Sequence, residues 1–173
     1  MSHRPRRRPG PRRSPLLRTP SLLVSVAALA ALAACGSDVE ITSTGLSEEE
    51  RAACEALVAD LPDTLFDQER VETSGDGIGA AWGDPPVVLT CGAGDPEEFD
   101  AWARCSEIAG IGWYVPDSQM KDAESDVVMT AQSHSPRVSL AIPAAHRFNG
   151  PDTHLKTIGE VLGRHLTETQ PCR

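Results

Sequence analysis

The sequence predicts an α+β domain, an antiparallel sheet of about five strands with two main helices packed on one face, stapled by disulfides. Three observations carry the prediction. Segments near both ends of the domain repeat apolar residues at helical spacing. The stretch between them holds short apolar or alternating runs separated by Gly and Pro. Four cysteines follow a leader that itself ends in a fifth. Helices outside and strands between fit a layered fold with the helices segregated from the sheet.

The leader comes first. Seven arginines and no acidic residue lie between Arg4 and Arg18, followed by a 13-residue apolar run from Leu22 to Ala34 that closes on Leu32-Ala33-Ala34-Cys35. A basic segment, an apolar segment and a small-residue cleavage site form a secretory signal. Cys35 stands where a lipoprotein signal peptidase leaves the new N-terminus. The apolar run is shorter than the roughly 20 residues that span hydrocarbon as a helix. The expected organisation is a lipoprotein signal peptide over residues 1–34, lipidated Cys35 and a flexible tether over 35–46, and one α+β domain over 47–173. A diacylglycerol on Cys35, with a second chain such as palmitate on its amine, would hold the protein to the extracytoplasmic face of the cell membrane, because one chain alone is marginal. Arg12-Arg13 ahead of Leu16-Leu17 faintly resembles a twin-arginine signal, but Pro15 occupies the preferred aromatic position, so the general secretory route is expected.

Within the domain, Ser47-Glu48-Glu49-Glu50 is a capping box, and Cys54, Leu57, Val58 and Leu61 follow as one apolar stripe until Pro62. Gly79 to Trp82 and Val87 to Cys91 flank the Gly83-Asp84-Pro85-Pro86 turn as a hairpin. Asp95 to Ala103 is expected to form a helical turn or two, and Ile108 to Val115 a strand. Asp126 to Ala131 and Arg137 to Ile142 are the best-defined strands, joined by Ser133-His134-Ser135-Pro136. In the second of them Val138, Leu140 and Ile142 alternate with Arg137, Ser139 and Ala141, the mark of a sheet with one face buried. The last helix is expected from Thr153 to Leu166, with Leu155, Ile158, Leu162 and Leu166 inward. Gly159 and Gly163 lie off that stripe, where close packing would explain them.

Charge and cysteines bound the function. Nine basic residues against 25 acidic ones follow Cys35, a formal net of −16. Such a domain repels nucleic acid and anionic headgroups. Cys54, Cys91, Cys105 and Cys172 are even in number in an oxidising compartment and read as two disulfides, with three pairings open. No metal is expected, because the closest two are 14 apart and no Cys-x-x-Cys occurs.

Candidates for chemistry are few, and no cofactor is expected. His134, His146, His154 and His165 read as solvated loop or helix residues. His154 and His165 would be about 16 Å apart along one helix, too far to chelate together. His146 and Arg147 lie beside Asn149 in a loop that could touch a ligand. No serine has a hydrolase context. Residues 73–79 are Gly-rich without the Lys of a phosphate loop, and read as a flexible connection. Asp122, Glu124 and Asp126 lack the Gly and closing Glu of a calcium loop and read as a solvated acidic loop. Trp113 and Tyr114, adjacent on a strand, must face opposite sides. With Trp82 and the nearby prolines they form the candidate groove for a peptide or sugar: Trp82, Trp113 and Tyr114.

The segment Ala81-Trp82-Gly83-Asp84-Pro85-Pro86-Val87-Val88-Leu89-Thr90-Cys91-Gly92 resembles an actinobacterial envelope family catalogued only as domain of unknown function 3515. Cys54 to Leu57 with Leu61 to Leu65, Ile108 to Trp113, and Val138 to Pro143 are similar to its opening helix, central strand and late strand. The resemblance implies a high-GC Gram-positive host and an envelope location, and no activity is assigned to the family. Its members are often encoded near a D-alanyl-D-alanine ligase, an association that hints at wall metabolism. It also implies Cys54–Cys91 as the regular disulfide, which leaves Cys105 with Cys172.

The reading favoured by the sequence is a membrane-anchored extracytoplasmic lipoprotein whose domain is a non-enzymatic binding or accessory module, with an envelope protein or cell-wall component as partner. The alternative is a cell-envelope enzyme, a wall-related hydrolase or transferase, using acidic residues that one sequence does not single out.

Overall fold

The computed structural model describes residues 38–148 and 150–169. The chain enters through β1 (Val39–Glu40), then α1 (Glu48–Ala59), the hairpin strands β2 (Thr64–Leu65) and β3 (Gln68–Val71), and β4 (Thr73–Ser74). The hairpin β5 (Ile78–Trp82) and β6 (Val87–Cys91) follows, then β7 (Cys105–Ile108) and β8 (Ile111–Tyr114). After the short α2 (Asp117–Lys121) come β9 (Val127–Ala131), β10 (His134–Ser135) and β11 (Val138–Ile142). A 3-10 turn (Ala144–His146), α3 (Pro151–His165) and β12 (Thr167–Glu168) complete it.

Eight strands form one antiparallel sheet in the order β2-β3-β5-β6-β11-β9-β8-β7. That corrects the expected five. The five expected strands are present as β5, β6, β8, β9 and β11. The additions are the β2–β3 hairpin and β7. The first turns at Phe66 and Asp67, with φ of 51° and 59°, and the second at Ala109-Gly110, with φ of 52° and 79°. Positive φ at both central residues matches the twist of a tight hairpin. Phe-Asp and Ala-Gly are not the residues that usually announce it, so Ile108 to Val115 read as one strand where the chain actually folds back. Residues 95–103 form no helix, only two isolated turns closed by Phe99 N–H to Pro96 O and Ala103 N–H to Asp100 O.

Alternation decides the layers. Cys91, Val138, Ala131 and Trp113 lie in one row across four strands, and Leu89, Leu140 and Met129 in the next. All are buried, and they meet Leu57 of α1 and Leu155, Ile158 and Leu162 of α3 in one core. The helices thus share one face of the sheet. Ser47 Oγ accepts the Glu50 N–H at 3.3 Å, and a Glu50 carboxylate oxygen accepts the Ser47 N–H at 2.9 Å, so the capping box is formed. The Cys54–Cys91 disulfide ties α1 to β6 at the centre of that core. Cys105 is also disulfide-bonded. Its expected partner Cys172 lies outside the described residues, as do residues 1–37 with Cys35.

Two glycines have structural reasons. A Cβ on Gly159 would stand 2.8 Å from the Ala109 Cβ, so α3 lies directly against the β7–β8 turn. Gly83 takes a φ of +80° to reverse the chain before Pro85, a conformation that L side chains avoid.

Residues 38–46, expected to be flexible tether, are held along the domain. Val39 and Glu40 pair with Thr73 and Ser74. Ile41 is buried. Ser43 Oγ donates to Cys91 O at 2.6 Å and accepts the Ile78 N–H at 2.9 Å. The Gly-rich residues 73–79, expected to be a flexible connection, form the other half of this strap, with Gly77 N–H donating to Ile41 O.

Candidate functional site

The sheet's second face is where a site can form, because α1 and α3 occupy only the first. Thr130 and Ser139 pair directly across β9 and β11, with Tyr114 beside Thr130 and Val128 one step along. Thr130, Ser139 and Val128 floor a groove of about 420 Å³. One wall is residues 93–98, and the other is Pro116 with Gln119 at the start of α2. The first wall is pinned at two points. Asp95 meets the Arg137 guanidinium at 3.0 Å. The Tyr114 hydroxyl donates to Glu98 O at 2.9 Å, and the Phe99 ring packs edge-on against Tyr114, centroids 5.1 Å apart.

A second depression of about 320 Å³ continues past Glu98, lined by Asp100, Trp102, Arg104, Tyr114 and Asp117. Trp102 is 88 % exposed. Its N–H donates to Asp100 Oδ1 at 2.8 Å, which fixes the backbone that presents the ring. Burial, then the charges of Glu98, Asp117 and Asp100, push the Tyr114 phenol above the ordinary tyrosine range. The phenol therefore stays protonated and keeps donating to the loop.

The expected groove of Trp82, Trp113 and Tyr114 does not form. Trp113 and Tyr114 do face opposite sides, but both are buried. Trp82 and Trp113 belong to the core under the helices. Trp82 Nε1–H donates to Pro62 O at 3.0 Å, and the Arg70 guanidinium lies 5.9 Å from its ring. Trp113 Nε1 has no hydrogen-bond partner among the described residues. Tyr114 borders a depression, and the aromatic that projects from the surface there is Trp102. Sequence reasoning missed it because it lies in a loop with no alternation around it. Its neighbours Asp100 and Arg104 were the available signal.

His134 and His146, expected to be solvated, are buried, while His154 and His165 are half-buried on α3. His154 Nδ1 accepts the Phe66 N–H at 3.3 Å. His146 is buried and its Nε2 lies 3.0 Å from Pro85 O, holding the Asp84-Pro85-Pro86 turn. Arg147 donates to the carbonyls of Asp122, Ser125 and Gln119. His165, with Arg164, meets Asp60 at the C-terminal end of α1. His134, 8 % exposed, borders a polar cleft with Glu50 and Arg137, and its Nδ1 is 2.8 Å from Ser133 Oγ. Ser133 is buried and accepts the Gly112 N–H at 2.8 Å, so the pair ties strands and offers no nucleophile to a substrate. Burial holds His134 below its ordinary range, against a weaker upward pull from Glu168.

Acidic chemistry follows the same pattern. Asp122 accepts from Glu124 N–H and Ser125 Oγ, and Asp126 accepts the Ala144 N–H. Asp122 closes its own loop, and Asp126 caps the 3-10 turn that follows β11. Among the described residues no three His, Cys, Asp or Glu gather as a metal site, and no helix is long and apolar enough to cross a membrane. Hydrogen bonds hold Glu50, Asp60 and Asp122 each below the ordinary carboxylate range, the opposite of the raised value that a general acid needs.

Neither a curated protein nor a solved structure matches the chain. The model of one family does, described as a protein of unknown function (DUF3515), and it spans residues 19–171. With nearly all of the domain matched, including the Trp82-Gly83-Asp84-Pro85-Pro86 turn and both cysteines of the core disulfide, the chain belongs to the DUF3515 family.

Proposed function

We propose that this protein is a lipoprotein of the cell envelope. Residues 1–34 are removed, Cys35 carries the lipid, and the domain binds a partner on the extracytoplasmic side of the membrane. The observation that carries the binding role is a groove on the sheet face away from α1 and α3, with a mixed floor of Val128, Thr130 and Ser139 and a wall fixed through Tyr114 and Arg137. A concave, preformed surface is what binding sites share. The strap adds a constraint on place. Five residues separate Cys35 from the buried Ile41, and the six steps between them reach at most about 21 Å. A lipid on Cys35 would hold the domain within that reach of the bilayer, which favours a membrane-proximal partner.

Two experiments in the native host test the two halves. Cys35→Ala should move the protein from the detergent phase to the aqueous phase on phase separation; unchanged partitioning would remove the lipid anchor. A photoreactive residue at Val128 should give a discrete crosslinked species in cells, and one at Lys156 on α3 should not. Equal crosslinking from both positions, or none from Val128, would remove the binding role.

A further inference from the structure

The two depressions adjoin at Glu98, which lines both. Their charge is lopsided. Asp95, Glu97, Glu98, Asp100 and Asp117 line them, and the cations in reach are few. Arg137 is engaged by Asp95, Lys121 stands 3.9 Å from Asp117 at the rim, and Arg104 lines the second depression. Apolar area is offered beside these charges by the Trp102 indole and by Val128, 38 % exposed. An exposed indole ringed by carboxylates suits a cation. The ring face attracts positive charge, and the carboxylates neutralise it. The formal −16 that follows Cys35 works in the same direction at longer range, drawing in basic partners and repelling acidic ones.

We propose that this face docks a basic segment of another envelope protein, with a Lys or Arg side chain seated between the Trp102 indole and the carboxylates of Glu98, Asp100 and Asp117, and an apolar neighbour laid on Val128. The proposal rests on the binding role argued above and gives it a partner chemistry. A polypeptide fits better than a free polycation, because the groove floor of Val128, Thr130 and Ser139 offers contacts that a bare amine chain does not use.

The test is calorimetric titration of the full chain, extracted in detergent with its disulfides intact, using three probes. These are the blocked heptapeptide Val-Lys-Val-Lys-Val-Lys-Val, its counterpart with Glu in place of Lys, and spermine. The lysine peptide should bind, with affinity falling as salt rises, and the glutamate peptide should not. Trp102→Ala should weaken the lysine peptide roughly 2- to 30-fold, the range of a cation–π contact. The Asp100→Asn/Asp117→Asn pair should weaken it and flatten its salt dependence. Glu160→Gln, on the outer side of α3, should change nothing, and circular dichroism should show each variant folded. Equal binding of both peptides, spermine matching the lysine peptide, or an unchanged Trp102→Ala variant would each overturn the proposal. If Val128 crosslinks in cells while the lysine peptide fails to bind, the partner chemistry is wrong and the binding role stands; if both fail, both fall.

Discussion

Cys54→Ala/Cys91→Ala is the perturbation whose size follows most directly from the structure. The bond closes a loop with a sequence separation of 37. In the chain-entropy account, releasing a loop of that length frees the unfolded state by about 4 kcal/mol at 25 °C. Both cysteines are fully buried, so removing two sulfurs from the core adds roughly 1 kcal/mol each, on the scale of a lost methylene. The sum, about 6 kcal/mol, approaches the whole stability of an ordinary domain. With a guanidinium slope of about 4 kcal/mol/M, the unfolding midpoint should fall by about 1.5 M. Mutation is a cleaner perturbation than reductant, since Cys105 is also in a disulfide. The single variants decide the mechanism: either one breaks the bond, so the second substitution should add only the small core term. A double variant within about 1 kcal/mol of the parent would refute the loop-closure reasoning.

Other outcomes follow from single contacts. Tyr114→Phe removes the donor to Glu98 O; stability should drop by about 1 kcal/mol, and amide exchange over residues 93–104 should quicken, while unchanged exchange would show that the hydroxyl does not hold the wall. Gly159→Ala gains helix propensity, but its methyl would stand 2.8 Å from the Ala109 Cβ. The clash should win by about 1 kcal/mol or more in a thermal melt, and a stabilised variant would mean that the β7–β8 turn yields. His134 has its folded pKa below the ordinary 6.5. The unfolded chain therefore takes up its proton first as pH falls, so this contribution is complete above about pH 6.5 and is lost as pH drops through the folded value. His134→Gln should flatten the melting temperature between pH 7 and pH 5; an identical slope in both proteins would place the pH dependence elsewhere. Asp60, lowered by Arg164 and His165, contributes in a more acidic window, fully above about pH 4 and lost below it.

Local signals were legible in the sequence, and pairings across distance were not. Ser47 and Glu50 announce a helix start because the contact that forms it spans three residues. Val138, Leu140 and Ile142 announce a strand because alternation sorts them onto the core face. The opposite facing of Trp113 and Tyr114 follows from the pleat alone. Which of the two would be exposed does not, because both are covered by distant segments, Trp113 by the helix layer and Tyr114 by Phe99. The strap was illegible for the same reason. Nothing in the polar run from Ser37 to Gly45 reveals that Ser43 will bridge Ile78 and Cys91. His134 read as a loop residue because its cover, β12, lies more than 30 residues away. The candidate site was found only in part: Tyr114 marks it, but Trp102 becomes informative only once Asp100, Asp117 and Glu98 are seen around it.

Binding on the acidic sheet face would leave its footprint in amide exchange. Hydrogen–deuterium exchange on the intact protein, with and without saturating lysine–valine heptapeptide, tests it most directly. The account predicts slower exchange in residues 93–104 and at the α2 and β9 borders of the groove, with α1 and α3 unchanged. Protection confined to the helices or to the His134 cleft, or no protection anywhere, would contradict it.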